Sequence, residues 1–269
     1  MGPTELMYDI PSYFISLGLF ALMVGAMLLG RRTGDRIRMN EPEEARSQAS
    51  AVQGSLLGLL ALLLGFTFSL ALGRFDQRSI AVVDEANAIG TAFLRTDLLS
   101  DERRDSAKGL ITRYGIVRVE AARVGADEDA RRAQLVTAAD TISANLWALA
   151  SAEAREVGGP VAMAFAASVN DMIDALASRD AAIERHVPEL VLFLLFGTFV
   201  LLGGVIGFAS ALSGVRPGVP VYAMMVLIVV LVFLIIDLDR PRRGLIEVDQ
   251  TKLVTTVEAM QRPSDVMEQ

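Results

Sequence analysis

The sequence predicts an all-α integral membrane protein: four transmembrane helices, two and two, with a helical-bundle domain inserted between the second and third spans. Three observations predict it. Apolar runs cover Ile10–Gly30, Ala51–Gly73, Leu190–Leu212 and Val219–Leu238, each near the ~20 residues that a helix needs to cross a bilayer. None meets a charged residue until its last positions. A polar stretch, Arg74–Val187, divides the pairs, and its apolar residues recur at alternating steps of three and four rather than two, the period of a helix and not of a strand.

The organisation read from these runs is an N-terminal transmembrane hairpin over residues 1–73, an extramembrane bundle over 74–187, a second transmembrane hairpin over 188–240 and a tail over 241–269. The first run follows Glu5 and Asp9 rather than a positive segment, so it reads as a retained span, not a cleaved signal. After it comes the basic turn Arg31-Arg32-Thr33-Gly34-Asp35-Arg36-Ile37-Arg38. Asn40 then offers a cap, Pro42 sits in a first turn, and Glu43 holds the capping-box position. No proline follows until Pro160, so one helix from Glu43 to Leu99 is expected to carry the second span and the first bundle helix together.

Four helical stripes follow in the polar domain. They are Val82, Ala86, Ile89 and Phe93; Leu110, Tyr114, Val117, Ala121 and Val124; Leu135, Ala139, Ile142, Leu146 and Leu149; and Phe165, Val169, Met172, Leu176, Ile183 and Val187, with Arg179 at the missing step. Such stripes bury one another in a bundle. Breaks fall at Ser100-Asp101, Gly125-Ala126-Asp127 and Gly158-Gly159-Pro160, with Ser100 and Asp127 as caps. Gly109 and Gly115 weaken the second helix, since a helical glycine costs about 1 kcal/mol relative to alanine. Arg216-Pro217-Gly218 turns the third span into the fourth, and Thr251–Gln261 forms one more short helix with Leu253, Val254, Val257 and Met260 on one side.

Composition excludes several functions. The chain has 269 residues, no cysteine and one histidine, His186, so thiolate chemistry, disulfides and a histidine metal cluster are ruled out within one chain, and no Ser-His-Asp triad is expected around a histidine at a membrane entry point. No cofactor, no metal and no enzyme activity are expected. The 14 basic and 18 acidic residues of the polar domain give no cationic surface for nucleic acid. Arginines near the span ends number seven on the bundle side and six on the opposite side, so the positive-inside rule does not choose between them.

Three features remain as candidates. Gly54, Gly58, Ala61, Gly65 and Ser69 make a stripe of small residues on the second span, flanked by Phe66 and Phe68. Small stripes let helices approach closely in lipid; around an oligomer axis the same face would leave a narrow pore with an aromatic constriction. Gln77, Asp84, Asn87, Thr91 and Arg95 share one helix face within about 80° at 100° per residue, either a solvated face or the lining of a vestibule. Asp237, Asp239 and Arg240, with Arg242 and Arg243, crowd one membrane boundary. There they form an ion-pair cluster or an ion site, although carboxylates are unfavourable at a helix C-terminus.

The stretches Leu63-Leu64-Gly65-Phe66-Thr67-Phe68-Ser69 with Arg74-Phe75-Asp76, Val83-Asp84-Glu85-Ala86-Asn87-Ala88-Ile89-Gly90-Thr91, and Asp237-Leu238-Asp239-Arg240-Pro241-Arg242-Arg243-Gly244 resemble a bacterial integral-membrane family with a bestrophin-like domain. That family is remotely similar to the bestrophins, which are pentameric anion channels with a cytosolic helical domain and a pore lined by span two. The chain departs from them in lacking an Asn-Ile-Pro-Phe-Phe type of neck and a long acidic run after span four. The resemblance implies an inner-membrane homo-oligomer, a pentamer, with inorganic anions as ligands, the lipid bilayer as partner and a cytoplasmic bundle. It leaves as alternative a non-conducting scaffold or sensor whose bundle binds a partner.

Overall fold

A computed structural model describes residues 10–37, 43–125, 128–240 and 244–262. Among these, all regular structure is helical: α1 Ser12–Ile37, α2 Glu43–Arg95, α3 Asp101–Arg123, α4 Asp129–Glu156, α5 Gly159–Glu184, α6 Glu189–Leu212, α7 Val219–Asp239 and α8 Thr251–Met260. Four helices are long and apolar enough to cross a membrane. The proposed caps at Asn40 and Asp127, Pro42 in its first turn, and Arg242 and Arg243 lie outside the described residues. The chain divides into two compact units, Met1–Arg74 with His186–Ile246 and Phe75–Arg185 with Glu247–Gln269.

In the first unit α1 and α6 pack side by side, in parallel, through glycine. A Cβ placed on Gly203 would come within 2.5 Å of the Met23 carbonyl oxygen, and one on Gly207 would overlap the carbonyl of Met27. From the other side, a Cβ on Gly30 would overlap the Gly204 carbonyl, and one on Gly34 would lie 2.7 Å from the Ala211 Cβ. The pairs Gly30/Gly34 and Gly203/Gly207 are each four residues apart, the spacing of a close helix crossing in lipid. There, attraction between helices must come from packing rather than from expelled water. Leu19, Met23 and Met27 of α1 and Leu195, Leu202 and Ile206 of α6 fill the seam on either side. Helix α1 outruns its apolar run by seven residues, ending at Ile37, because charged residues continue a helix at no cost once it has left the lipid.

Helix α2 runs unbroken from Glu43 to Arg95, and a 3-10 turn at Thr96–Leu98 completes the expected stretch. In the second unit its Val82, Ala86 and Ile89 join Ile111, Tyr114, Ala139, Leu146, Phe165, Val169 and Met172 in one core. Gly158 and Gly159, at φ +67° and +81°, turn the chain from α4 into α5, a conformation that side chains oppose. Ser100 stands at the N-terminus of α3 without capping it. Its hydroxyl instead approaches the buried carboxylate of Glu153, which also accepts from Arg103 Nη1 at 2.6 Å.

The terminal helix α8 belongs to the same core, burying Leu253, Val257 and Met260. It explains Gly115: a Cβ there would lie 2.7 Å from Val257 Cγ2 and 3.1 Å from Met260 Cε. The stripe of α3 is rotated from the expected one. Ala107, Ile111, Tyr114 and Arg118 are buried, while Leu110 and Val117 are only partly so. The rotation brings a charged residue inward, for the reason given below.

The α1–α6 seam makes a direct prediction. Gly207→Ala should lower the melting temperature of the detergent-solubilised chain by several degrees, since the obstructing atom is backbone. Gly197→Ala on the same helix meets nothing within 4 Å and should be neutral or stabilising by up to about 1 kcal/mol. Equal behaviour of the two variants would show that the seam is not close-packed.

Candidate functional site

Helix α2 presents two different faces in the bundle unit. On the inner face Glu85 sits between Val82, Ala86 and Ile89, with no exposed surface. Arg118 of α3 donates through Nε to one of its carboxylate oxygens, and Arg179 of α5 donates through Nη1 to the other. Both guanidinium groups are buried as well. Arg179 Nη2 reaches the Gln250 side-chain oxygen at 2.8 Å, on the segment leading into α8. Asp180 stands 4.0 Å from Arg118 at the half-open rim. One carboxylate thus ties α2, α3, α5 and the approach to α8.

Electrostatics follow from burial. Taking an ion out of water costs several kcal/mol, returned only if partners are close and well oriented. Burial works against the charge on Arg118, but the charge and hydrogen bond of Glu85 outweigh it and hold the guanidinium more firmly protonated than usual. Burial, and then the Glu85 charge, push the Tyr114 phenol well above its ordinary value. Its hydroxyl has no hydrogen-bond partner among the described residues.

The outer face of α2 carries Asp84, Asn87 and Thr91, all exposed. Arg95, half-buried, donates through Nη1 to the Ala164 carbonyl at 2.8 Å. Asp84 opens on a cavity of about 500 Å³ between α2 and α5, which Asp171, Asp174, Ser178 and Arg185 also line. Asn87 and Thr91 are not part of that lining.

In the membrane unit the small stripe of α2 points outward. Gly54, Gly58, Ala61, Gly65 and Ser69 are exposed, and a Cβ on Gly54, Gly58 or Gly65 would meet nothing within 4 Å. The buried residues of this span, Leu60, Thr67 and Ala71, lie on the other side of the helix. Phe66 is 61% exposed and Phe68 is half-buried. Two residues apart on a helix, they are about 160° apart in direction, so they do not share one constriction within a chain.

The boundary cluster has a clear local geometry. One oxygen of Asp237 accepts from the main-chain N–H groups of Leu245 and Ile246 at 2.8 and 2.9 Å. Asp239 accepts from the Val187 N–H at 2.9 Å, ahead of α6, and its main-chain oxygen lies 3.2 Å from His186 Nδ1. Arg240 donates to the Ile10 carbonyl, ahead of α1. These carboxylates therefore escape the unfavourable dipole of their own helix by satisfying N–H groups of other segments. Gly244 permits the return, since a Cβ there would lie 2.7 Å from the Asp237 carbonyl oxygen.

The residues that sequence reasoning missed are Glu85, Arg118 and Gln250. A signal was present: Glu85 and Arg118 fall within the core stripes of their helices, as Arg179 does, and one acid with two bases on three buried stripes implies a buried ion network.

Four apolar helices and this bundle define an integral membrane protein. The model of the bestrophin-like domain matches residues 17–253, so the chain belongs to the bestrophin-like family. No curated protein and no solved structure matches it.

The network predicts a non-additive mutation series, read by unfolding followed through Trp147, the single tryptophan. Arg179→Leu should cost about 3–5 kcal/mol, because it strands a buried charge, whereas replacing Glu85, Arg118 and Arg179 together by apolar residues should recover most of it. Tyr114→Phe should be neutral or stabilising. Because burial raises the phenol in the folded chain, stability is level below the ordinary tyrosine value of about 10 and falls as pH rises above that; Tyr114→Phe should abolish this alkaline loss. Additive losses across the series would contradict the network.

Proposed function

We propose that the protein is an oligomeric anion channel of the inner membrane, with span two of each copy turned toward a common axis. One observation carries the reading: the stripe Gly54–Gly58–Ala61–Gly65–Ser69 stands uncovered, while the buried residues of the same span, Leu60, Thr67 and Ala71, lie away from it. A face of small residues in lipid gains by close approach to another helix, and a ring of such faces leaves a narrow path. Phe68, beside the stripe, forms the constriction; Phe66 points to the neighbouring copy. Asp84, Asn87 and Thr91 line the inner vestibule with Arg95 at its end, and Asp237, Asp239 and Arg240 brace the span ends. The bundle and both termini are cytoplasmic, and five copies assemble, as in the bestrophins that the family resembles. The reading includes no catalytic role.

A specific observation favours the second reading, a non-conducting scaffold or sensor. Ser55 and Thr67 turn their hydroxyls back to the carbonyls of Ala51 and Leu63 at 3.0 and 2.8 Å, which leaves span two poor in groups to replace an ion's water.

Stoichiometry in mild detergent and current in reconstituted bilayers separate the two. The channel reading expects a pentamer, anion current, and a several-fold rise in conductance with Phe68→Ala. A monomer or dimer, silent in wild type and variant alike, would replace it with the scaffold reading.

A further inference from the structure

A cavity of about 380 Å³ opens in the membrane unit where the apolar runs end. Arg31 and Asp35 reach it from the end of α1, Arg216 from the turn between α6 and α7, and Tyr222 from the first turn of α7, over an apolar side made by Met27 and Leu28. The parallel α1–α6 seam places the ends of both apolar runs, Gly30 and Leu212, on one side of the bilayer, and α7 sets out again from that side at Val219. The cavity therefore lies at headgroup depth.

Its chemistry is cationic above and apolar below. Arg31 makes two long contacts, Nη1 to the Val215 carbonyl at 3.3 Å and Nε to Asp35 at 3.8 Å, which leave donors of its guanidinium fork for a ligand. Arg216 is exposed; Arg32 and Arg36, also exposed, are not part of the lining. Tyr222 is the amphipathic type of residue that settles at a membrane interface. Leu28 is exposed, and so is Val226, one turn deeper along α7, which gives an acyl chain apolar surface to follow.

We propose that this cavity binds the headgroup of an anionic phospholipid. Two guanidinium groups match a phosphate diester through paired N–H donors, Tyr222 adds a hydroxyl donor, and the Asp35 carboxylate accepts from a headgroup hydroxyl such as that of a glycerol. The inference is independent of conduction.

The test uses the full chain in mild detergent, with phosphatidylglycerol, phosphatidylcholine or inorganic phosphate added, reading thermal stability and lipid retained on native mass measurement. Phosphatidylglycerol should raise the melting temperature and stay bound, and phosphatidylcholine should do neither. With up to about 1 kcal/mol for each exposed arginine in direct ion-pair contact, Arg216→Gln should weaken the response about fivefold and Arg31→Gln with Arg216→Gln about thirtyfold. Arg32→Gln with Arg36→Gln should leave it unchanged. If the double variant does not fold, Arg216→Gln and Tyr222→Phe carry the test, each being a change at an accessible side chain. An undiminished response in the cavity variants, an equal loss in the Arg32/Arg36 control, or full reproduction by inorganic phosphate would each overturn the proposal.

Discussion

The bundle depends on one buried carboxylate. Glu85 lies wholly inside an apolar core and can exist there only because Arg118 and Arg179 arrive from two other helices with correctly aimed donors. The arrangement tolerates little slippage. Moving any of α2, α3 or α5 by one residue would turn a charge by 100° into hydrocarbon, at a cost of several kcal/mol. Apolar stripes alone would accept several registers at similar energy. The network therefore contributes specificity of packing rather than net stability, and Gln250 extends that specificity to the segment that delivers α8.

The membrane unit meets the opposite constraint. Water does not drive its helices together, so affinity must come from backbone proximity. The glycines at 30, 34, 203 and 207 supply it by putting no side chain of their own between the two backbones. The same physics acts on the small stripe of α2, but with the opposite outcome: none of the described residues comes within 4 Å of a Cβ placed on Gly54, Gly58 or Gly65. A face with the composition of a helix crossing and no helix upon it is the feature that the proposed assembly accounts for.

Much of this was legible in the sequence, because the relevant signals are periodic. Span lengths follow from bilayer thickness, and the 3-4 rhythm identified the bundle helices and the short helix at Thr251–Met260. What escaped were pairings, which one-dimensional periodicity does not encode. Glu85 reads as one charge among Asp84, Glu85 and Asn87 until helices α3 and α5 are placed beside it. The glycine pair at 203 and 207 looks no different from Gly197, which meets nothing. The longer glycine run at 54–65 carries the stronger periodic signal, yet none of the described residues meets it. Asp237 and Asp239 looked misplaced at a helix end because the N–H groups they satisfy, on Val187, Leu245 and Ile246, belong to other segments. The stripe of α3 differs from the expected one because Arg118, which no apolar rhythm marks as inward, is buried against Glu85.

Glu85 organises the bundle as a unit rather than merely occupying it. Hydrogen exchange on the full-length chain, wild type against Glu85→Gln, tests this most directly. Protection should fall together in the bundle half of α2 and in α3, α5 and α8, because all four lose their common anchor. Loss confined to the helical turn around residue 85, with α5 and α8 protected as before, would contradict it.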